Sequence, residues 1–279
     1  MNRPEDIQRR IVNIRQIESI IATLQALAAA HLIEARGHLD AIHAHEKVVA
    51  GALSVALSGR EGVEAMEAGL EQQAGITILV GATQGFCGSY ADRLLEIARD
   101  AAAGGDGLMV VGARSLAGLI GWGQDLLWSA DMPSHAADIP GLANRLADAL
   151  LAELTRWPDR VVHIVHADPA APEHKADRRR LWPFDFDRFP VEGGAMPLIT
   201  LSPAPLIGTL VQEYIFAELC EALMLGFAAE NAARAEAMAR AQSNVKRIAA
   251  DLKGEFQRAR QDQMTTEIIE LAAGQDALR

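Results

Sequence analysis

Residues 4–57 hold no proline after Pro4 and only two glycines, Gly37 and Gly51. Apolar residues recur there at Ile7, Ile11, Ile14, Ile17, Ile21, Leu24, Ala28, Leu32, Ala35, Leu39 and Ile42. The steps are three or four residues, the period of one helix face. Pro4 suits a first helical turn, and Glu5 and Asp6 suit its positive end. A stripe kept up for more than about 25 residues predicts a coiled coil or a long exposed helix rather than an ordinary globular one. Such a helix cannot bury its stripe alone, so a second long element must pair with it.

That element is at the other end. From about residue 206 to 273 the chain again lacks proline. One stripe there reads Ala241, Val245, Ile248, Leu252, Phe256 and Ala259, and Gly274 marks a plausible stop. The middle differs. Apolar strands are expected at Ile76–Val80, Leu108–Val111 and Val161–Val165, with weaker ones near Leu126–Trp128 and Arg180–Phe184. Helical patterns lie at about 90–103, 115–121 and 139–156. Alternating strands and helices predict a parallel α/β sheet. Of the eleven prolines, all but Pro4 lie between 133 and 205, so the stretch from Pro183 to Pro205 reads as an irregular return segment. The expected architecture is an antiparallel coiled coil of the two end helices, residues 1–58 and 206–279, with a Rossmann-like α/β domain at 74–200 inserted between them.

Composition agrees with this division. Half of the residues are apolar and only 5% are aromatic, which favours closely packed helices. The net charge of −11 repels nucleic acid on average. No apolar run approaches the roughly 20 residues that cross a bilayer. The opening "MNRPEDIQRR" lacks the apolar core of a secretory signal. Two distant cysteines, Cys87 and Cys220, demand no disulfide and favour a reducing compartment.

The stretch "GITILVGATQGFCGSY" invites a nucleotide-binding reading, because a strand, a glycine-rich turn and a helix make a phosphate cradle. Both known signatures fail. A Walker loop needs Lys and then Ser or Thr after its last glycine, whereas Ser89, Tyr90 and Ala91 follow Gly88. A dinucleotide fingerprint needs G-x-G-x-x-G and an acidic residue after the next strand. Here Gly81, Gly85 and Gly88 are spaced otherwise, and Gly112, Ala113 and Arg114 follow that strand. A structural turn is expected. Cys87 has no base nearby in sequence and reads as a packed thiol. On a helix His38 and His45 share a face while His43 points elsewhere, so an exposed helix face is expected rather than a metal site. His163 and His166 point to opposite faces of a strand.

Several segments carry a family resemblance. The helix "IQRRIVNIRQIESIIATLQALAAAHLIEAR" resembles the first helix of the gamma subunit of F-type ATP synthases, from Ile7 to Arg36 without a gap. The turn "QGFCGSY" is similar to that family's glycine–leucine–cysteine–glycine turn. The run "FQRARQDQMTTEIIELAAGQDAL" resembles its last helix most specifically, and "ENAARAEAMARAQSN" fits the same helix upstream at Arg234, Met238, Ala241 and Asn244.

The resemblance implies a central rotor shaft that couples rotation of a membrane ring to nucleotide turnover on an alpha/beta hexamer. It implies no catalytic residue, cofactor or metal on this chain. The implied partners are the ATPase alpha and beta subunits, the epsilon subunit and the ring of c subunits. The implied location is peripheral, on the cytoplasmic face of a bacterial inner membrane, and the transported ion is a proton or sodium. The implied partner-interface residues are Arg9, Arg10, Leu24, Arg234, Arg258, Arg260, Gln261, Thr265 and Glu267. Residues 230–260 hold seven basic and four acidic side chains, a basic strip in an acidic chain. By spacing alone these are solvated flank charges; the resemblance makes Arg234, Gln261, Thr265 and Glu267 polar catches for the hexamer.

The chain departs from the family pattern in places. Ala22, Thr23, Leu24 and Gln25 stand where the family has a lysine-rich stretch, Ser19 and His31 replace common lysines, and Thr83 and Gln84 replace an aspartate–arginine pair. A less electrostatic contact from the first helix is expected. Two other readings compete: a coiled-coil adaptor unrelated to a motor, and a nucleotide-binding enzyme using the 81–88 loop.

Overall fold

A computed structural model describes residues 3–57, 74–121, 125–171, 175–183 and 202–276. Helix α1 runs Pro4–Leu57 and helix α5 Pro203–Asp276. Between them come β1 (Ile76–Val80), α2 (Tyr90–Ala103), β2 (Gly107–Val111), α3 (Ala113–Leu119), β3 (Leu126–Ala130), a short 3-10 turn (Ala136–Asp138), α4 (Ile139–Arg156), β4 (Val162–Ala167) and β5 (Ala176–Trp182). Most of the expected return segment, and Phe184 of the fifth expected strand, lie outside the described residues. The expected stop at Gly274 falls in the last turn of α5, two residues before its end.

The sheet has the order β3-β2-β1-β4-β5. Its first four strands are parallel, and β5 runs antiparallel to β4 at the edge. The sheet is therefore mixed rather than wholly parallel. The link from Asp168 to Lys175 is too short for a crossover, which takes about a dozen residues or more, so β5 must reverse.

Every residue of β1 and β2 is buried, as expected of central strands covered on both faces. Alternation sorts them into two clusters. Ile76, Ile78, Val80, Met109, Val111, Val162 and Ile164 face α4 and parts of both long helices, including Ala35, Leu39, Leu53, Ile215, Leu219 and Phe227. Leu79, Leu108, Val110, Val165 and Ala167 face α2 and α3, together with Ala229 and Ala233 of α5. Thr77, a buried polar residue on the second face, donates to Asp106 Oδ2 at 2.6 Å, so its hydroxyl is satisfied. Arg179 of β5 reaches across to Glu218 and Glu221 of α5 at 2.7 and 2.8 Å, pinning the edge strand.

The chain divides into two compact units within the long helices rather than at their ends. Residues 28–234 form one unit, holding the sheet and the adjoining parts of α1 and α5. Residues 1–27 and 235–279 form the other. In this second unit Ile7 and Ile11 of α1 pack against Leu252 of α5, flanked by Ile14, Phe256 and Ala259. Val245 and Leu252 are buried as the α5 stripe predicts, while Ile248 of the same stripe is exposed.

Helix α1 is more apolar on average than its lack of an uninterrupted apolar run suggests. It contains an 18-residue stretch of mean hydropathy 1.3 with at most two charged residues, apolar enough by length and composition to cross a membrane. The sequence shows no uninterrupted apolar run because Thr, Gln and His punctuate the segment, but these few interruptions lower its average only modestly. Only 6% of that stretch is buried by the chain itself. Val12, Ile17, Ile20, Leu27 and Ile33 are all large and exposed, so apolar side chains lie all round α1 rather than on one stripe.

Candidate functional site

The crevice where open α/β sheets bind nucleotides lies outside the carboxyl ends of the strands, where the strand order reverses. In this sheet the reversal falls between β1 and β4. The glycine loop of residues 81–88 leaves β1 at that point. Two of its residues adopt left-handed backbone, Phe86 at φ 62° and Gly88 at φ 61°. Such a loop aims backbone N–H groups at an anion.

Here the anion belongs to the chain. The Thr83 and Gln84 amides donate to the two carboxylate oxygens of Glu230 at 3.1 and 2.9 Å. Arg234, one turn along α5, pairs with the same carboxylate and donates to Asn231 Oδ1 at 2.8 Å and to the Gly85 carbonyl at 3.2 Å. The Thr83 hydroxyl accepts from the Met132 amide at 3.2 Å, which ties in the connection after β3. Ala229 and Ala233 fill the space beside Leu79, Val165 and Ala167 at the ends of β1 and β4. Gly226 lets α5 come this close: a Cβ there would lie 2.4 Å from Val80 Cγ1. The Tyr90 hydroxyl donates to the Gly226 carbonyl at 3.2 Å. Helix α5 thus occupies the crevice, and a carboxylate sits where a phosphate would. The loop is a clamp between the sheet and α5, as the failed nucleotide signatures predict.

Cys87 lies buried in this clamp. Burial, and then the Glu230 carboxylate, push its thiol above the ordinary value, so it stays protonated and a poor nucleophile. Cys220 is likewise free and buried, its thiol pushed up to about 12 by burial and by Glu213.

The sequence-derived interface residues separate into two sets. Arg234 is 7% exposed, with its guanidinium engaged by Glu230, Asn231 and Gly85 of its own chain. Leu24 is half-buried. Arg9, Arg10, Arg258, Arg260, Gln261, Thr265 and Glu267 are exposed. Arg9 touches Asp6 at 2.8 Å, and Gln263 donates to Glu267 at 2.9 Å. Thr265 donates to the Gln261 carbonyl at 2.9 Å. Arg9, Thr265 and Glu267 thus bond within their own helices while remaining exposed. Nearby, an open groove of about 670 Å³ lies between the start of α1 and residues 255–267 of α5, lined by Ile7, Arg258, Ala259, Gln263 and Glu267 among others. Met264, Ile268 and Ile269 are exposed on the same part of α5.

His43 and His45 of α1 find partners that the sequence did not show. His43 meets Glu221 at 3.0 Å and His45 meets Glu213 at 2.9 Å, two different carboxylates of α5, so they do not converge on one ion. Sequence reasoning also missed Glu230. It lies 147 residues from Thr83 along the chain, and no local pattern links them.

A family model described as ATP synthase matches residues 3–278. This chain belongs to the ATP synthase gamma-chain family. The ATP synthase gamma chain of Heliobacterium modesticaldum is 26% identical over 286 residues, covering 98% of each chain. That of Akkermansia muciniphila is 23% identical and covers all of both chains. A chain of the Euglena gracilis mitochondrial ATP synthase, in a structure of OSCP, F1 and c-ring, has the same fold with a TM-score of 0.68. It is 13% identical and covers 99% of this chain and 94% of its own length. A chain of the Tetrahymena thermophila central stalk and c-ring structure matches at 0.55 and 14% identity, over 80% of this chain and 99% of its own. As a gamma chain the protein is a non-catalytic subunit, the central shaft of an F-type ATP synthase complex attached to the membrane. The Glu230 clamp fits that role, since it joins the shaft helix to the sheet instead of holding a nucleotide.

Proposed function

We propose that residues 1–27 and 235–279 form the part of the gamma chain that turns within the alpha/beta hexamer, while the sheet-bearing unit meets the epsilon subunit and the c-ring. One observation supports this most: α1 and the end of α5 carry large apolar residues, Val12, Ile20, Leu27, Met264, Ile268 and Ile269, that the chain leaves in solvent. An apolar surface left open on this scale fits a partner that encloses it. Arg9, Arg10, Arg258, Arg260, Gln261, Thr265 and Glu267 supply polar contacts on that surface, and Leu24 contributes from the half-buried side. Arg234 acts from inside, by fixing α5 to the sheet. In energetic terms each shaft orientation binds one hexamer state better than the others, and that difference is the coupling between rotation and nucleotide affinity. On this reading the complex lies on the cytoplasmic face of a bacterial inner membrane, with this chain peripheral.

Truncation before Arg260 tests the reading. The shortened chain is expected to keep a folded sheet, measured by circular dichroism, and to lose assembly with alpha and beta subunits or the coupling of ATP hydrolysis to ion transport. Assembly and coupling equal to those of the full chain would remove residues 260–279 from the shaft's working surface. Isolation of the tagged chain with partners other than ATPase subunits, under conditions that keep rotary ATPases intact, would favour an adaptor instead.

A further inference from the structure

His31, Glu34 and His135 come together within the sheet-bearing unit, each offering one ligand atom, and these atoms all lie within 4.8 Å of one another. His31 and Glu34 are three residues apart on α1 and share a face. His135 enters from the connection between β3 and α4, in extended backbone just before the 3-10 turn. We propose that these three side chains form a binding site for a divalent transition-metal ion of the zinc class, with water in the fourth position.

The donor set points to that class. Two imidazoles and one carboxylate suit Zn²⁺ and its neighbours, whereas Mg²⁺ and Ca²⁺ take oxygen ligands. Ligand atoms around a tetrahedral ion at bond lengths of about 2.0–2.1 Å stand roughly 3.3 Å apart. Binding would require side-chain rotations that draw the ligand atoms in from their present spacing of up to 4.8 Å. The surroundings already hold two of the three ligands. The Ala136 amide donates to Glu34 Oε1 at 3.1 Å, orienting the carboxylate from the same connection that carries His135. The His31 ring lies against Phe227 of α5, with centroids 5.6 Å apart. Contacts of this kind, outside the ligands themselves, set ligand geometry in metal sites. Glu34 and His31 are partly buried and His135 is exposed, which gives an ion a route of entry. The ion would fasten α1 to the connection after β3, beside the Met132–Thr83 hydrogen bond of the loop clamp.

The competing explanation is simple ring packing, since His31 and His135 also stand edge to face with centroids 6.2 Å apart. Calorimetric titration of the purified, chelator-treated full chain with ZnCl₂ distinguishes the two. The expected result is one ion per chain. His135→Ala and Glu34→Gln are expected to weaken binding at least about 100-fold, since altering even a supporting group costs 10–100-fold. His43→Ala is expected to bind as the unaltered chain does. Glu34→Gln keeps an acceptor for the Ala136 amide, and His135 is exposed, so both variants retain the fold; circular dichroism checks this. No saturable binding, or equal binding by His135→Ala, would overturn the site.

Discussion

Glu230 and Glu267 stand on the same helix in opposite environments. Glu230 is 4% exposed, accepts two loop amides and faces a buried arginine. Glu267 lies on the solvent side and accepts a hydrogen bond from Gln263 of its own helix at 2.9 Å. The first carboxylate holds the chain's own fold together. The second is exposed and bonds within its own helix. One helix thus carries both a buried joint to the sheet and an exposed stretch that, on the proposed reading, works against a partner.

Removal of the joint gives the largest expected effect. Glu230→Ala strips the loop amides of their acceptor and leaves Arg234 buried without its pair, a loss of about 3–5 kcal/mol. Chemical denaturation of the full chain measures it, and a loss below about 1 kcal/mol would erase the contrast with Glu267. Leu252→Ala comes next, at about 2–3 kcal/mol, because it empties a small cluster with few neighbours to collapse inward. Hydrogen exchange should place that loss in residues 3–27 and 235–260 and spare the β1 and β2 amides. Gly226→Ala forces a methyl against Val80 and should cost about 1–3 kcal/mol. Thr265→Ala should change stability by less than about 0.5 kcal/mol, yet lower coupled ATP turnover in the assembled complex. An unchanged turnover would show that this side chain is not a catch.

The last expected effect is one of pH. His166 is buried beside Arg179; burial first, and then that positive charge, depress its affinity for a proton. The unfolded chain therefore binds a proton more readily than the folded one. His166 contributes stability above the unfolded value of about 6.5, and that contribution is lost as pH falls through the lower folded value. Denaturation midpoints between pH 7 and 5 should decline, and His166→Phe should flatten the decline.

Much of the fold was legible along the chain. The three-to-four-residue steps in α1 and α5, and the short apolar runs of β1, β2 and β4, are local patterns that survive without knowledge of the fold. The weaker runs that became β3 and β5 lie at the sheet edges, where exposure dilutes the signal. The loop's failure as a nucleotide site was also legible, because the missing lysine and acidic residue are local absences. What fills the loop was not. Arg234 could be singled out by family resemblance, but nothing in its neighbourhood indicated that it would be buried.

By itself, then, the sequence determined the two long helices, the central strands and the family, since each rests on spacing or motif within a single segment. Tertiary structure alone decided that Glu230 would serve as the anion of the glycine loop and that His31, Glu34 and His135 would converge. It also decided that the apolar surface of α1 would stay uncovered. Each of these depends on which distant segments meet. Chain connectivity places no limit on a contact between residues more than a hundred positions apart, so only packing of the helices on the sheet could choose among the possible partners.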